Sequence, residues 1–124
     1  MTKPEVTFTE ATSDLVRAYY GGPAPFTFRG YVALLDGKPI GVGGIYYDND
    51  RPVAFSDMAP EMRARKRDVA RAIRVLKSQF DACKATLFVI ANKSEPTAPR
   101  LLAKLGFEET GTETEHGPVL VRSV

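Results

Sequence analysis

Cysteine and histidine are almost missing from this chain. Cys83 is its one cysteine and His116 its one histidine. A single cysteine cannot close an internal disulfide, which fits a reducing compartment and sets the expectation of a cytoplasmic protein. One cysteine and one histidine cannot make up a structural zinc site either. No apolar run approaches the ~20 residues of a membrane helix. The opening stretch Met1–Val6 lacks the apolar core of a signal peptide. Net charge is small, +2 over 124 residues. Basic character is therefore local and does not suggest a general nucleic-acid binder. There is no repeat and no low-complexity linker, so residues 1–124 read as one domain. Its 44% apolar and 26% charged residues describe a soluble globular protein with a real core.

What the chain does have is a long amphipathic stretch at 59–80. Pro60 suits a first helical turn, where its missing N–H costs nothing. Val69, Ile73, Leu76 and Phe80 recur at helical spacing and predict one buried stripe. Nothing between 60 and 80 interrupts the pattern, so one unbroken helix is expected. Arg63, Arg65, Lys66 and Arg67 crowd its entrance. A helix N-terminus ringed by cations suits a phosphate, because free N–H groups and the dipole already favour an anion. The plain alternative is a solvated basic face. Asp68 reads as a carboxylate paired among these arginines.

Around this stretch the elements alternate. Val6–Phe8 has strand composition. Thr9 or Thr12 can cap a helix over 10–20, with Leu15, Val16 and Tyr19 as its apolar face and Gly21 and Gly22 ending it. A loop at 23–25 follows, packed down by Phe26 and Phe28. Arg29–Leu35 and Pro39–Tyr47 form a hairpin through Asp36, Gly37 and Lys38. Gly41, Gly43 and Gly44 imply that something packs closely on the return strand. A turn at 48–52 leads to a strand at Val53–Asp57. After the long helix, Thr86–Ala91 is an apolar run fit for the middle of a sheet. A loop at 92–96, a helix from Thr97 to Leu105 with Pro99 in its first turn, and strands at Phe107–Thr112 and Pro118–Ser123 complete the chain. The order β-α-β-β-β-α-β-α-β-β predicts an α+β fold with a mixed central sheet and a parallel pairing near 86–91.

Three stretches resemble the GNAT acetyltransferase superfamily: the Gly-rich hairpin at 36–45, the strand-to-helix junction at 59–63, and Leu101–Phe107 with its Leu-Gly-Phe ending. The Leu101–Leu102 pair also resembles small acetyltransferase-like proteins of tailed phages. The resemblance implies acetyl-CoA as co-substrate, with its pyrophosphate at the entrance of the long helix. In that family a loop of pattern Arg/Gln-x-x-Gly-x-Gly/Ala holds the pyrophosphate through backbone N–H groups. Here the registers Arg63-x-x-Lys66-x-Asp68 and Arg65-x-x-Asp68-x-Ala70 contain no glycine. Side chains of Arg63, Arg65 and Lys66 are then the expected phosphate ligands. The tyrosine that many members place four residues before the final glycine is Leu102 here, which fits a buried face.

Amide formation from a thioester needs a base for the amine, donors for the oxyanion and a proton for the thiolate. Asp57 is the best-placed base, with an N-cap or turn carboxylate as its alternative reading. Glu95 is a second candidate or a surface-loop acid. The resemblance implies that a backbone N–H over Phe55, Ser56, Asp57 and Met58 serves the oxyanion. Ser94, Thr97, Tyr46 and Tyr47 are possible proton donors. His116 reads as an exposed turn residue. The expected function is transfer of an acetyl group from acetyl-CoA to an amine of a small molecule or peptide. The alternative is a catalytically degenerate domain of the same fold that binds a partner. A nucleic-acid binder using Arg63, Lys66, Arg67, Arg71, Arg74 and Lys77 lacks aromatic interleaving and any known motif. A C-terminal strand edge leaves a homo-oligomer open.

Overall fold

A computed structural model describes residues 5–23, 27–91 and 98–123. One seven-stranded mixed sheet runs in the order β1-β2-β3-β4-β5-β7-β6. The strands are β1 Val6–Glu10, β2 Phe28–Leu35, β3 Lys38–Asp48, β4 Arg51–Met58, β5 Leu87–Ile90, β6 Glu108–Thr114 and β7 Gly117–Arg122. The helices are α1 Ser13–Tyr20, α2 Pro60–Arg63, α3 Lys66–Ala82 and α4 Ala98–Lys104. All sheet pairings are antiparallel except β4 with β5. Phe26, Ser94, Glu95 and Thr97 lie outside the described residues, as does the rest of the 92–96 loop.

Local chemistry accounts for most boundaries. Thr12 caps α1, its side chain accepting from the Leu15 N–H at 3.3 Å, and Gly21 ends that helix at φ 72°. Asp36 and Gly37 both sit at positive φ, as a two-residue hairpin requires. Asn49 and Asp50 do the same at φ 49° and 66°. The expected five-residue turn at 48–52 is therefore a two-residue one, and β3 and β4 each reach further than their composition indicates. Gly30 and Gly44 lie opposite one another on β2 and β3. A Cβ on Gly30 would come within 1.9 Å of the Gly43 carbonyl oxygen. What packs closely on that glycine-rich strand is thus the neighbouring strand itself. On the other face, a Cβ on Gly43 would meet Leu76 of α3 at 3.1 Å.

The long helix is not continuous. It breaks at Ala64 and Arg65 into α2 and α3. The Arg65 N–H closes a tight turn on Met62 O at 2.9 Å, and Arg65 itself takes φ −100°, ψ 78°, outside the helical region. Leu76 and Phe80 are buried as expected, but the third buried position of α3 is Ala72. Val69 and Ile73 are half-buried and pack on the two clusters flanking it.

Three apolar clusters hold the layers. The largest joins α3 and α4 to the sheet through Leu76, Phe80, Leu87, Val89, Leu105, Phe107 and Leu120, with Leu102 packed against it. A second, under α2 and the start of α3, contains Met62 and Ala72. The third, on the opposite face of the sheet, seats α1 through Val16, Val32 and Val42. Each large buried aliphatic side chain contributes roughly 1.5–3 kcal/mol.

Candidate functional site

β4 has two unlike edges. On one side it pairs with β3 along its length, from Arg51 opposite Asp48 to Met58 opposite Gly41. On the other it meets β5 at a single registered pair, Val53 with Phe88. The Ala59 N–H bonds Ile40 O at 2.9 Å, which fixes the alternation. Asp57 and Phe55 then direct their N–H groups to β3, while Ser56 and Met58 direct theirs to the β5 side. Beyond Val53 no ladder partner on β5 meets them. Of the expected donors at 55–58, those of Phe55 and Asp57 pair with β3, while those of Ser56 and Met58 have no ladder partner among the described residues.

Side chains divide by the same alternation. Ser56 and Met58 face α3, where with Gly41, Gly43, Met62 and Leu76 they line a narrow gap of about 20 Å³, room for about one water. Phe55 and Asp57 face α1. The Phe55 ring meets Phe28 edge-on at 4.7 Å and Tyr46 at 5.8 Å. Asp57 is exposed, and its Oδ2 accepts a hydrogen bond from the Tyr20 hydroxyl at 2.7 Å. Tyr19 and Tyr20 stack edge-to-face at 5.0 Å at the end of α1. Partial burial, and then the hydrogen bond and charge of Asp57, push the Tyr20 phenol well above the usual tyrosine range. Tyr19 is raised by burial and by Asp57, while the charge of Arg63 opposes the shift. Arg63 therefore acts on the same side of β4 as Asp57.

The break at 64–65 sets up the other half of the site. Val69 is the first residue of α3 whose N–H bonds back, to Arg65 O at 2.9 Å. The N–H groups of Lys66, Arg67 and Asp68 are left without an intrahelical acceptor. A loop-to-helix junction with open donors thus exists, where an unbroken helix from Pro60 would have buried it in mid-helix. Arg65 is less available than its position implies, since its Nε donates to Asp68 Oδ2 at 2.8 Å. Arg71 donates to Asp68 Oδ1 at 3.0 Å and to Val6 O at 2.9 Å, and lies over the Phe8 ring at 5.2 Å. Burial pushes the Asp68 carboxyl up, but hydrogen bonds and charge from Arg65 and Arg71 outweigh it and hold the group below the usual carboxylate range. Lys66 and Arg67 are exposed and have no carboxylate partner among the described residues.

Other candidates fall away from this centre. Tyr47 is 68% exposed. His116 is exposed and pairs with Glu115 at 3.2 Å. Cys83 is half-buried at the end of α3, its thiol 3.7 Å from Ala85 O. Tyr20 is the site residue that the sequence reading passed over. It lies next to Tyr19 in α1, and no local pattern announces a partner 37 positions away.

No protein-family model and no curated protein matches the chain. Solved structures do. An N-acetyltransferase from Staphylococcus aureus superposes at TM-score 0.68 with 13% identity, covering 96% of this chain and 98% of that one. A GNAT phosphinothricin acetyltransferase from Sinorhizobium meliloti, in complex with AcCoA, gives 0.63 and 15%, covering 96% and 88%. The ribosomal-protein-S18-alanine N-acetyltransferase from Escherichia coli gives 0.60 and 17%, covering 97% and 94%. The chain has the GNAT acetyltransferase fold.

Proposed function

We propose that this protein is an N-acyltransferase that uses acetyl-CoA to acetylate an amine. The observation that carries the reading is the one-sided pairing of β4, which leaves the Ser56 and Met58 N–H groups open beside the free N-terminus of α3.

The residues present fit such a co-substrate, with one change from the glycine-rich loop of the family. Lys66 and Arg67 would meet the pyrophosphate through side chains, and the open N–H groups of the first turn of α3 would add donors. Arg63 and Arg65 stand at the same entrance, with Arg65 tethered by Asp68. The thioester supplies an activated acyl group. The Ser56 and Met58 N–H groups hold donors toward the acyl oxygen, where charge develops. Phe55, fixed by Phe28 and Tyr46, walls the other face of the strand. Asp57 takes the proton that the amine releases as its nitrogen bonds the acyl carbon, and the C–S bond breaks with its electron pair leaving on sulfur as the CoA thiolate.

The reading is tested by calorimetric titration with acetyl-CoA at low and moderate salt. Micromolar binding is expected, weakened at least tenfold by Lys66→Glu with Arg67→Glu, and more weakly by charge reversal at Arg63. No heat and no thermal shift at millimolar acetyl-CoA would sink it. A second reading, a partner-binding domain that has lost catalysis, draws on Asp68, a carboxylate in the first turn of α3 where a phosphate would sit. Binding of CoA without turnover of any amine would favour it.

A further inference from the structure

Leu102 occupies the place where the resemblance puts a catalytic tyrosine, and it packs into the main core. A different tyrosine reaches the reaction side of β4. Tyr20 ends α1, which is seated on the sheet by Val16 against Val32 and Val42. Val42 is also the register partner of Asp57. One packing unit therefore fixes both the helix that carries the phenol and the strand that carries the carboxylate. The resulting hydrogen bond, 2.7 Å from the Tyr20 hydroxyl to Asp57 Oδ2, links elements 37 residues apart.

Resting on the acyltransfer reading above, we propose that Tyr20 is the positioning residue of the site: its hydroxyl holds Asp57 Oδ2 and leaves Oδ1 directed to the incoming amine. Three features support it. Asp57 is exposed on a strand end, where an untethered carboxylate would sample several rotamers. Tyr19 on α1 feels the charges of both Asp57 and Arg63, while β3 opposes Asp57 with the uncharged Val42. The phenol also keeps its proton far into the alkaline range, so it remains a donor at any pH where the enzyme would work. Tyr20 touches no reacting atom in this scheme and acts through Asp57.

The test compares wild type, Tyr20→Phe and, as a control on an exposed phenol, Tyr47→Phe. Acetyl-CoA binding is measured first by calorimetry. Thiol release is then followed from pH 5 to 9 with a panel of primary amines: a diamine, an aminoglycoside and a lysine-bearing peptide. Tyr20→Phe retains the ring and is expected to fold and to bind acetyl-CoA within twofold of wild type. Its kcat is expected to fall about tenfold, with KM for acetyl-CoA unchanged. Tyr47→Phe is expected to match wild type throughout. Wild-type kcat in a folded Tyr20→Phe would overturn the assignment to Tyr20 while leaving the acyltransfer reading standing. A wild type that turns over none of the amines would remove that reading, and the role of Tyr20 with it. A second measurement needs no acceptor. The absorbance titration of the slowest-ionising tyrosine should move to lower pH in Asp57→Asn, and an unchanged titration would mean that the hydrogen bond is not made in solution.

Discussion

The two edges of β4 are built from the same eight residues and behave in opposite ways. Toward β3 every residue from Arg51 to Met58 is in register. Toward β5 the ladder holds at Val53 and Phe88 and then stops. The closed edge rests on β3, whose Gly44 pairs with Phe55 on that side and lies against Gly30 of β2 on the other. On the open edge the Ser56 and Met58 N–H groups have no ladder partner among the described residues. An antiparallel partner joined by a two-residue turn enforces register, whereas a parallel partner reached through a long helix does not. A functional opening is therefore easiest to make on the parallel side.

The comparison can be broken most severely from behind its closed edge, where β3 meets β2. Gly30→Ala would drive a methyl into the Gly43 carbonyl. We expect a loss of several kcal/mol, or failure to fold, on the scale of overpacking and backbone strain. Phe80→Ala, which removes a 3%-exposed ring from the main core, should cost about 3–5 kcal/mol. Both are read by urea unfolding, and a cost under 1 kcal/mol at Gly30 would show that β2 and β3 do not approach as described.

A finer contrast replaces single amides by esters within β4. An ester at Asp57 removes an N–H that faces β3 and should cost about 1 kcal/mol of stability. An ester at Ser56 removes an N–H with no ladder partner. It should leave stability within about 0.5 kcal/mol, the scatter of innocuous changes, while weakening acetyl-CoA binding several-fold. Equal stability losses at both positions would mean that the two edges are alike.

Asp68 limits the α3 entrance in the same way. Its carboxyl is held below the usual range, so it contributes stability that is complete above the unfolded value near 4 and is lost as pH falls through the folded value. Asp68→Asn should flatten the acid limb of stability and cost about 1 kcal/mol at neutral pH. It should also tighten acetyl-CoA severalfold, because a negative charge leaves the first turn and Arg65 and Arg71 are released. Calorimetry and acid unfolding on the same variant check both halves.

How much of this was legible depends on whether the cause was local. Turn residues, the Thr12 cap, Gly21 and the Leu76–Phe80 stripe act within a few positions, and the sequence states them openly. The break in the long helix is hidden by its own pattern. Met62 lies seven residues before Val69, about two helical turns, so the apolar face runs straight through Ala64 and Arg65. Asp68 beside arginines reads correctly as a paired carboxylate, but its spacing does not say that it ties down Arg65. The opening between β4 and β5 depends on where pairing stops, and both strands look equally strand-like. Tyr20 is concealed for a third reason. Its neighbour Tyr19 fits the apolar face of α1, and a hydroxyl that bonds to a distant strand leaves no mark on helical periodicity.

The smallest expected effect is an alkaline one, and it separates the face of β4 that carries Asp57 from the rest of the molecule. The phenols of Tyr19, Tyr20 and Tyr46 are all raised, by burial first and then by nearby carboxylates. A raised group is fully stabilising below its unfolded value of about 10 and loses that contribution as pH climbs through its folded value. In the window between, the unfolded chain binds fewer protons than the folded one, so stability must fall with rising pH. Tyr20→Phe removes one titrating phenol, and the slope of unfolding free energy above pH 10 should shallow by up to one proton. Asp57→Asn should shallow it by less, since burial of the ring persists. At neutral pH the Asp57 variant should lie close to wild type. If both variants keep the wild-type slope, the Tyr20 hydroxyl does not face Asp57, and the carboxylate on β4 stands without a tether.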